Sequence, residues 1–184
     1  ERVRAVRERL AVDGSTVRPL DEARAREAIA ALLEQEIESL AIALIHSYAN
    51  SEHEERLEAL ARELAPDLFI SRSSAVLPEY REYERTMTTV LNAYVMPAVD
   101  RYLSAIQSGL AERGLPEQIS IVRSDAGIMS LTSVLERPVN TVLSGPAGGV
   151  RGAAAVARAA GYANVVSIDM GGTSTDVCLS TEGE

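Results

Sequence analysis

From Arg2 to Val12 the chain alternates Val, Ala and Leu with Arg and Glu, a two-residue rhythm that predicts a half-exposed strand. Asp13-Gly14 reads as a hairpin turn into Thr16-Val17-Arg18. Pro19 stops that strand, and Asp21 stands where it can cap a helix over roughly Glu22 to Gln35. Ala23, Ile29, Leu32 and Leu33 are the expected buried stripe of this helix. The run Leu40-Ala41-Ile42-Ala43-Leu44-Ile45 is continuously apolar and of strand length, as expected for an interior parallel strand covered on both faces. Ser51 is placed to cap a second helix that ends before Pro66, and Leu68-Phe69-Ile70 reads as a short strand. Strands and helices that alternate in this way predict an α/β fold with helical crossovers.

After Leu77-Pro78 the rhythm changes to a long helical stretch, about Tyr80 to Arg113. Leu91, Tyr94, Ala98, Tyr102, Ile106 and Leu110 recur every three or four residues and predict its buried face. Pro97 is expected to kink or restart the helix, and Gly114 and Pro116 to end it. A strand at Ile119 to Val122 leads into the loop Ser124-Asp125-Ala126-Gly127. Thr141-Val142-Leu143 then runs into the glycine-rich Ser144-Gly145-Pro146-Ala147-Gly148-Gly149, an Ala-rich helix to about Ala160, and Gly161. That order imitates a dinucleotide-binding unit. The G-x-G-x-x-G fingerprint fails, however, because Ala147 and Val150, or Val150 and Ala153, stand where it needs glycine.

Chemistry concentrates in Val165-Val166-Ser167-Ile168-Asp169-Met170-Gly171-Gly172-Thr173-Ser174-Thr175-Asp176-Val177-Cys178-Leu179. Two apolar arms flank two glycines, which predicts a β-hairpin with a tight Gly-Gly turn. Glycines at such a turn can take positive φ and let the backbone approach a ligand. Successive amides there form an anion-binding concavity, with the hydroxyls of Thr173, Ser174 and Thr175 beside it. Asp169 and Asp176 flank the turn and help a polyanion only through a cation. Phosphate with Mg²⁺ suits this set, since Mg²⁺ is held by one or two carboxylates, waters and phosphate oxygens. The plainer alternative is an ordinary hairpin with a solvated Thr/Ser shoulder.

Composition narrows the field. The net charge of −9 argues against nucleic acid and against an anionic membrane surface. All 18 basic residues are arginine, which removes the P-loop lysine and Schiff-base chemistry. The one cysteine, Cys178, permits no internal disulfide and is expected to face a core, so a reducing cytoplasm is the expected location. No apolar run reaches the ~18 residues of a membrane span. The last residues, Thr181 to Glu184, look like a turn after an apolar arm, so the sequence is expected to be an excerpt of a longer protein.

The stretch Asp169 to Asp176 resembles a phosphate loop of the actin-like ATPase superfamily. Together with Ser144 to Gly149, with Pro19-Leu20-Asp21-Glu22, with His46-Ser47-Tyr48-Ala49-Asn50 and His53-Glu54, and with Leu77 to Thr86 and Thr88 to Tyr94, it resembles the hydantoinase/oxoprolinase family, in its hydantoinase A type. That resemblance implies part of a two-lobe, ribonuclease-H-like fold with mixed sheets, ATP lying between the lobes. Residues 1–77 would be the last part of the family's N-terminal region, and 78–184 the start of its ATPase-like region with the second phosphate loop. Gly171, Gly172 and Thr173 would hold phosphate oxygens through backbone amides, and Ser174 and Thr175 through hydroxyls. Asp169 would anchor Mg²⁺, with Asp176 as the second carboxylate. Gly145, Gly148 and Gly149 would belong to the element joining the lobes, at the nucleotide. Implied too are a cyclic-amide substrate activated by phosphoryl transfer from ATP and a partner protein or domain of hydantoinase B type. Alternatives are the ATPase component of an acetone-carboxylase-like enzyme and a non-catalytic actin-like nucleotide-binding module. The chain departs from the family at Ser124-Asp125-Ala126-Gly127, where an Asn-Gly-Gly type sequence is usual.

The remaining polar residues have blander expectations. His46 and His53 are read as structural hydrogen-bonding groups rather than metal ligands. Arg81 and Arg85, one helical turn apart beside Glu82 and Glu84, are read as a solvated ion-pair face, with a role toward substrate or phosphate as the alternative.

Overall fold

The computed structural model describes residues 2–116 and 118–182. They fall into two compact units, residues 1–106 and 107–184.

In the first unit, β1 (Arg9–Leu10) pairs antiparallel with β2 (Thr16–Arg18) around the Asp13-Gly14 turn. Gly14 takes φ +82 there, and an added Cβ would stand 3.1 Å from the Ala49 carbonyl oxygen, so this turn needs glycine twice over. The strand expected over Arg2 to Val12 shrinks to two paired residues, because β2 offers only three residues to pair with. Asp21 caps α1 (Glu22–Leu33) by accepting the Arg24 amide. The buried face of α1 is Ala25, Ile29 and Leu32; Ala23 is exposed. β3 (Ser39–Ile42) and β4 (Phe69–Arg72) form a parallel pair joined through α2 (Glu52–Leu64). Ile29, Ile42, Leu57, Leu60, Leu68 and Ile70 close the apolar core between them. At the start of α2 the Glu52 amide goes to Asn50 Oδ1, while the Ser51 hydroxyl reaches forward to Glu55. Ser51 therefore sits at the cap position without capping.

A short helix α3 (Ser73–Val76) precedes α4 (Glu82–Glu112), which continues through Pro97 without interruption. Its inward face is not the expected one. Arg85, Thr89, Asn92, Met96 and Leu103 are buried, while Leu91, Tyr94 and Tyr102 are 50%, 78% and 65% exposed. The helix is turned by about 100°, one residue's worth of rotation, because polar partners on β4 and its flanking segments claim Arg85 and Asn92. Leu115 donates to the Leu110 carbonyl and Gly114 takes φ +64, which ends α4 in the left-handed manner.

In the second unit, β5 (Ser120–Val122) and β6 (Ile128–Ser130) form a hairpin across Ser124 to Gly127. α5 (Leu131–Glu136) and a 3-10 turn (Pro138–Thr141) follow, so no strand forms at Thr141 to Leu143. The glycine-rich run, expected ahead of the Ala-rich helix, is itself helical: α6 spans Ser144–Ala159. Gly161, at φ +86, ends it. β7 (Val165–Met170) and β8 (Thr175–Ser180) complete the chain as an antiparallel hairpin.

Candidate functional site

In the β7–β8 register Asp169 lies directly opposite Asp176, and Met170 opposite Thr175. Residues paired across an antiparallel ladder share a face, so the two carboxylates stand side by side. Both are exposed, and neither meets an arginine among the described residues. Like charges in that arrangement repel unless a cation lies between them.

The connection is a four-residue loop, Gly171 to Ser174, rather than a two-residue turn. Neither Gly171 nor Gly172 takes a left-handed φ. The Gly171 amide donates to the Ser174 carbonyl at 2.9 Å, so it is spent on closing the loop and does not offer itself to a phosphate. The amides of Gly172, Thr173 and Ser174, and the hydroxyls of Thr173, Ser174 and Thr175, have no partner among the described residues. Three consecutive amides are thus left unpaired at an exposed bend, and unpaired turn amides are the donors that an anion-binding concavity uses.

The glycines themselves test whether a ligand fits. A Cβ on Gly172 would meet nothing within 4 Å, and one on Gly171 only the Ser174 carbonyl at 3.7 Å. Neither φ nor packing within the chain demands glycine here. Open space over the loop is what a closely approaching phosphate requires. Among the described residues no three His, Cys, Asp or Glu side chains gather as a metal cluster. The donor set is the carboxylate pair alone, which suits Mg²⁺ completed by water and phosphate oxygens.

α6 packs beside the hairpin, and its three glycines do different things. A Cβ on Gly149 would lie 3.9 Å from Asp169 Oδ2, which places this turn of the helix against the carboxylate. Gly148 instead faces β5, where a Cβ would touch the Val122 methyl at 3.5 Å; it is a packing residue. Gly145 lies open in the first turn. That turn starts from Leu143, at φ 62, with no side-chain cap, and Pro146 contributes no amide. The Ser144 and Gly145 amides therefore sit unpaired, among the described residues, at the positive end of the helix dipole. On β8, Cys178 pairs with Ser167 and is partly buried.

The first unit holds polar residues that the sequence pattern did not single out. Glu54, wholly buried, accepts from the Leu44 amide (2.9 Å), the Ser73 hydroxyl (2.6 Å) and the Ser74 amide (2.8 Å). Arg85, 1% exposed, donates to Ser73 Oγ and to the carbonyls of Leu44 and Glu79, and its guanidinium lies 5.4 Å from the centre of the Tyr48 ring. Ser47 joins through Ser73, and Asn92 donates to Ser71. The solvated ion-pair expectation thus fails for Arg85. It holds for Arg81, which is exposed, lies near Glu84 and has its pKa raised by hydrogen bonding to Tyr80 and then by the Glu84 charge. His53 Nδ1 pairs with Glu8 at 2.7 Å. His46, in the left-handed region at φ 61, sets its ring edge-on to Tyr48, and its buried Nδ1 has no partner among the described residues. A sequence signal for Arg85 existed only in outline: it recurs with Thr89, Asn92 and Met96 at helical spacing, but as a mixed polar stripe. A mostly apolar cavity of about 680 Å³, lined by Val6, Leu40, Val90 and Tyr94 among others, also belongs to this unit.

A family model described as hydantoinase/oxoprolinase matches residues 85–184, and one for the hydantoinase/oxoprolinase N-terminal region matches residues 1–65. The chain is 39% identical over 175 residues to the alpha chain of the caprolactamase of Pseudomonas jessenii, covering 95% of this chain and 25% of that one. It is 34% identical to the 5-oxoprolinase of Saccharomyces cerevisiae, covering 89% of this chain and 12% of that protein. Among solved structures, nucleotide-free acetone carboxylase superposes with a TM-score of 0.85 at 34% identity, over 97% of this chain and 26% of the other. The ATP-dependent caprolactamase superposes with a TM-score of 0.82 at 37% identity, over 95% and 25%. The chain thus spans about a quarter of the length of the caprolactamase alpha chain.

Proposed function

Since the chain belongs to the hydantoinase/oxoprolinase family, we propose that its residues work within a longer ATP-dependent hydrolase acting on cyclic amides. The observation that carries this reading is the exposed Gly171–Ser174 bend, with three unpaired amides between two facing carboxylates and open space above its glycines. Within that protein, residues 1–77 are assigned to the N-terminal region and 78–184 to the ATPase-like region. The matches to residues 1–65 and 85–184 support that assignment.

Mg-ATP supplies the phosphoryl group that converts an unreactive amide carbonyl into an electrophile. The chain's own contribution is positioning and charge neutralisation, which dominate catalysis of phosphoryl transfer. Gly172, Thr173 and Ser174 offer amides to phosphate oxygens; Ser174 and Thr175 add hydroxyls. Asp169 would hold Mg²⁺, Asp176 stands as the second carboxylate, and Gly149 keeps the helix close to Asp169 without filling the site. A protein of hydantoinase B type is the proposed partner; the caprolactamase relative is itself named as an alpha subunit. The proposed location is the cytoplasm. Among the described residues no helix is long and apolar enough to cross a membrane.

The superposition on acetone carboxylase favours a second reading, the ATPase component of a ketone carboxylase. Stimulation of ATP hydrolysis separates the two. Oxoproline, hydantoin or a lactam raises turnover under the first reading, and acetone with bicarbonate under the second. If neither does while nucleotide still binds, the protein is a non-catalytic nucleotide-binding module. Asp169→Asn in the full-length protein is expected to lower ATP turnover by about 100-fold; unchanged turnover removes Asp169 from the site.

A further inference from the structure

The loop Ser124 to Gly127 contacts the segment that leads into α6. Ser124 donates its amide to the Asn140 carbonyl at 2.8 Å, and its hydroxyl lies within hydrogen-bond distance of both the Asn140 carbonyl (2.8 Å) and the Val142 carbonyl. Those two carbonyls bracket the chain just before Leu143, which is forced into the left-handed region at φ 62, ψ 20. A bulky, non-glycine residue held there costs free energy and persists only where its surroundings impose it. Leu143 is 74% exposed, so its own side chain does not impose it. Its elbow launches α6, whose Gly149 lies against Asp169.

From this geometry we infer that Ser124 is a positioning residue: its hydroxyl clamps the Leu143 elbow and thereby sets the start of α6, and Gly149, against the Asp169 carboxylate. The inference rests on the reading of the Asp169 hairpin as the nucleotide-phosphate site. Clamp and strain are independent observations. The Ser124 amide holds the Asn140 carbonyl, the Ser124 hydroxyl donates its one proton to a carbonyl on the same side of the bend, and the bend decides where the helix begins.

The neighbouring residue provides a matched control. Asp125 accepts the Gly127 amide at 3.0 Å and pairs with Arg123 at 2.9 Å, so it stabilises the same hairpin turn without touching the elbow. In the full-length protein, steady-state ATP hydrolysis is measured for wild type, Ser124→Ala, Ser124→Thr and Asp125→Ala. Loss of one hydrogen bond's worth of positioning predicts a rise of about fivefold in KM for Mg-ATP in Ser124→Ala, with kcat within about twofold. Ser124→Thr keeps the hydroxyl and restores the wild-type KM, and Asp125→Ala lowers thermal stability without moving it. An unchanged KM in Ser124→Ala, or an equal rise in Asp125→Ala, overturns the positioning role while leaving the hairpin reading intact. If Asp169→Asn turns over ATP normally, the hairpin reading falls and the inference falls with it.

Discussion

The two units treat their polar groups in opposite ways. In the first, Glu54, Ser73, Arg85, Asn92 and Ser71 are buried and bonded to one another and to the backbone. In the second, Asp169, Asp176 and the bend from Gly171 to Ser174 are exposed, and most of their donors and acceptors have no partner among the described residues. A buried group must be satisfied internally because burial without a partner costs free energy. An exposed group can wait for a ligand, with water holding its place. The network of the first unit therefore reads as architecture, and the bend of the second keeps its donors free for the proposed site.

Breaking the architecture produces the largest effect. Arg85→Met removes the donors to Ser73 Oγ and to the Leu44 and Glu79 carbonyls, leaving buried acceptors unsatisfied, and is expected to cost about 3–5 kcal/mol of stability. The Glu54→Gln/Arg85→Met double variant reads the coupling of the two side chains through the Ser73 hydroxyl, and is expected to lose less than the sum of the two single losses. Urea unfolding of wild type, the two single variants and the double variant measures it. Equal stability for all of them erases the contrast between the units.

Gly172→Leu sharpens the contrast from the other side. Its Cβ meets nothing within 4 Å and its φ is not left-handed, so folding is expected to change by less than about 0.5 kcal/mol. Filling the space above the bend is expected to lower ATP turnover by about 100-fold. A variant that unfolds, or one that works normally, contradicts the site reading.

A smaller change concerns Ala126, which sits at φ 61 where the family resemblance leads one to expect glycine. Ala126→Gly relieves that conformation and is expected to stabilise the second unit by about 1 kcal/mol, read from its thermal midpoint.

The smallest effect is electrostatic. Arg56 hydrogen-bonds Glu22, which holds the Glu22 carboxyl below its ordinary 4.5. A carboxylate with a folded pKa lowered in this way stabilises the fold above the unfolded pKa and loses that contribution as pH falls through the folded value. NMR titration is expected to place the Glu22 midpoint below 4.5, and Arg56→Gln to move it back up.

What the sequence revealed follows the range of the interactions. The β7–β8 hairpin, its carboxylates and the Asp21 cap were legible because their partners lie within a few residues. The Gly-Gly bend was legible as a loop but not in its geometry: a bond from Gly171 to Ser174 makes it four residues long. The buried face of α4 was not legible. Periodicity pointed to Leu91, Tyr94 and Tyr102, whereas Arg85 is drawn inward by Ser73 and by the carbonyl of Leu44, which lies 41 residues away. Polar burial depends on partners distant in the chain, and single-sequence patterning assigns polar residues to water.

The central claim is that the Gly171–Ser174 bend holds nucleotide phosphate. A crystal structure of the full-length protein with Mg²⁺ and a nonhydrolysable ATP analogue tests it most directly. The account predicts phosphate oxygens about 3 Å from the amides of Gly172, Thr173 and Ser174, with Mg²⁺ on the Asp169 side. A nucleotide bound elsewhere, with those amides facing solvent, would contradict it.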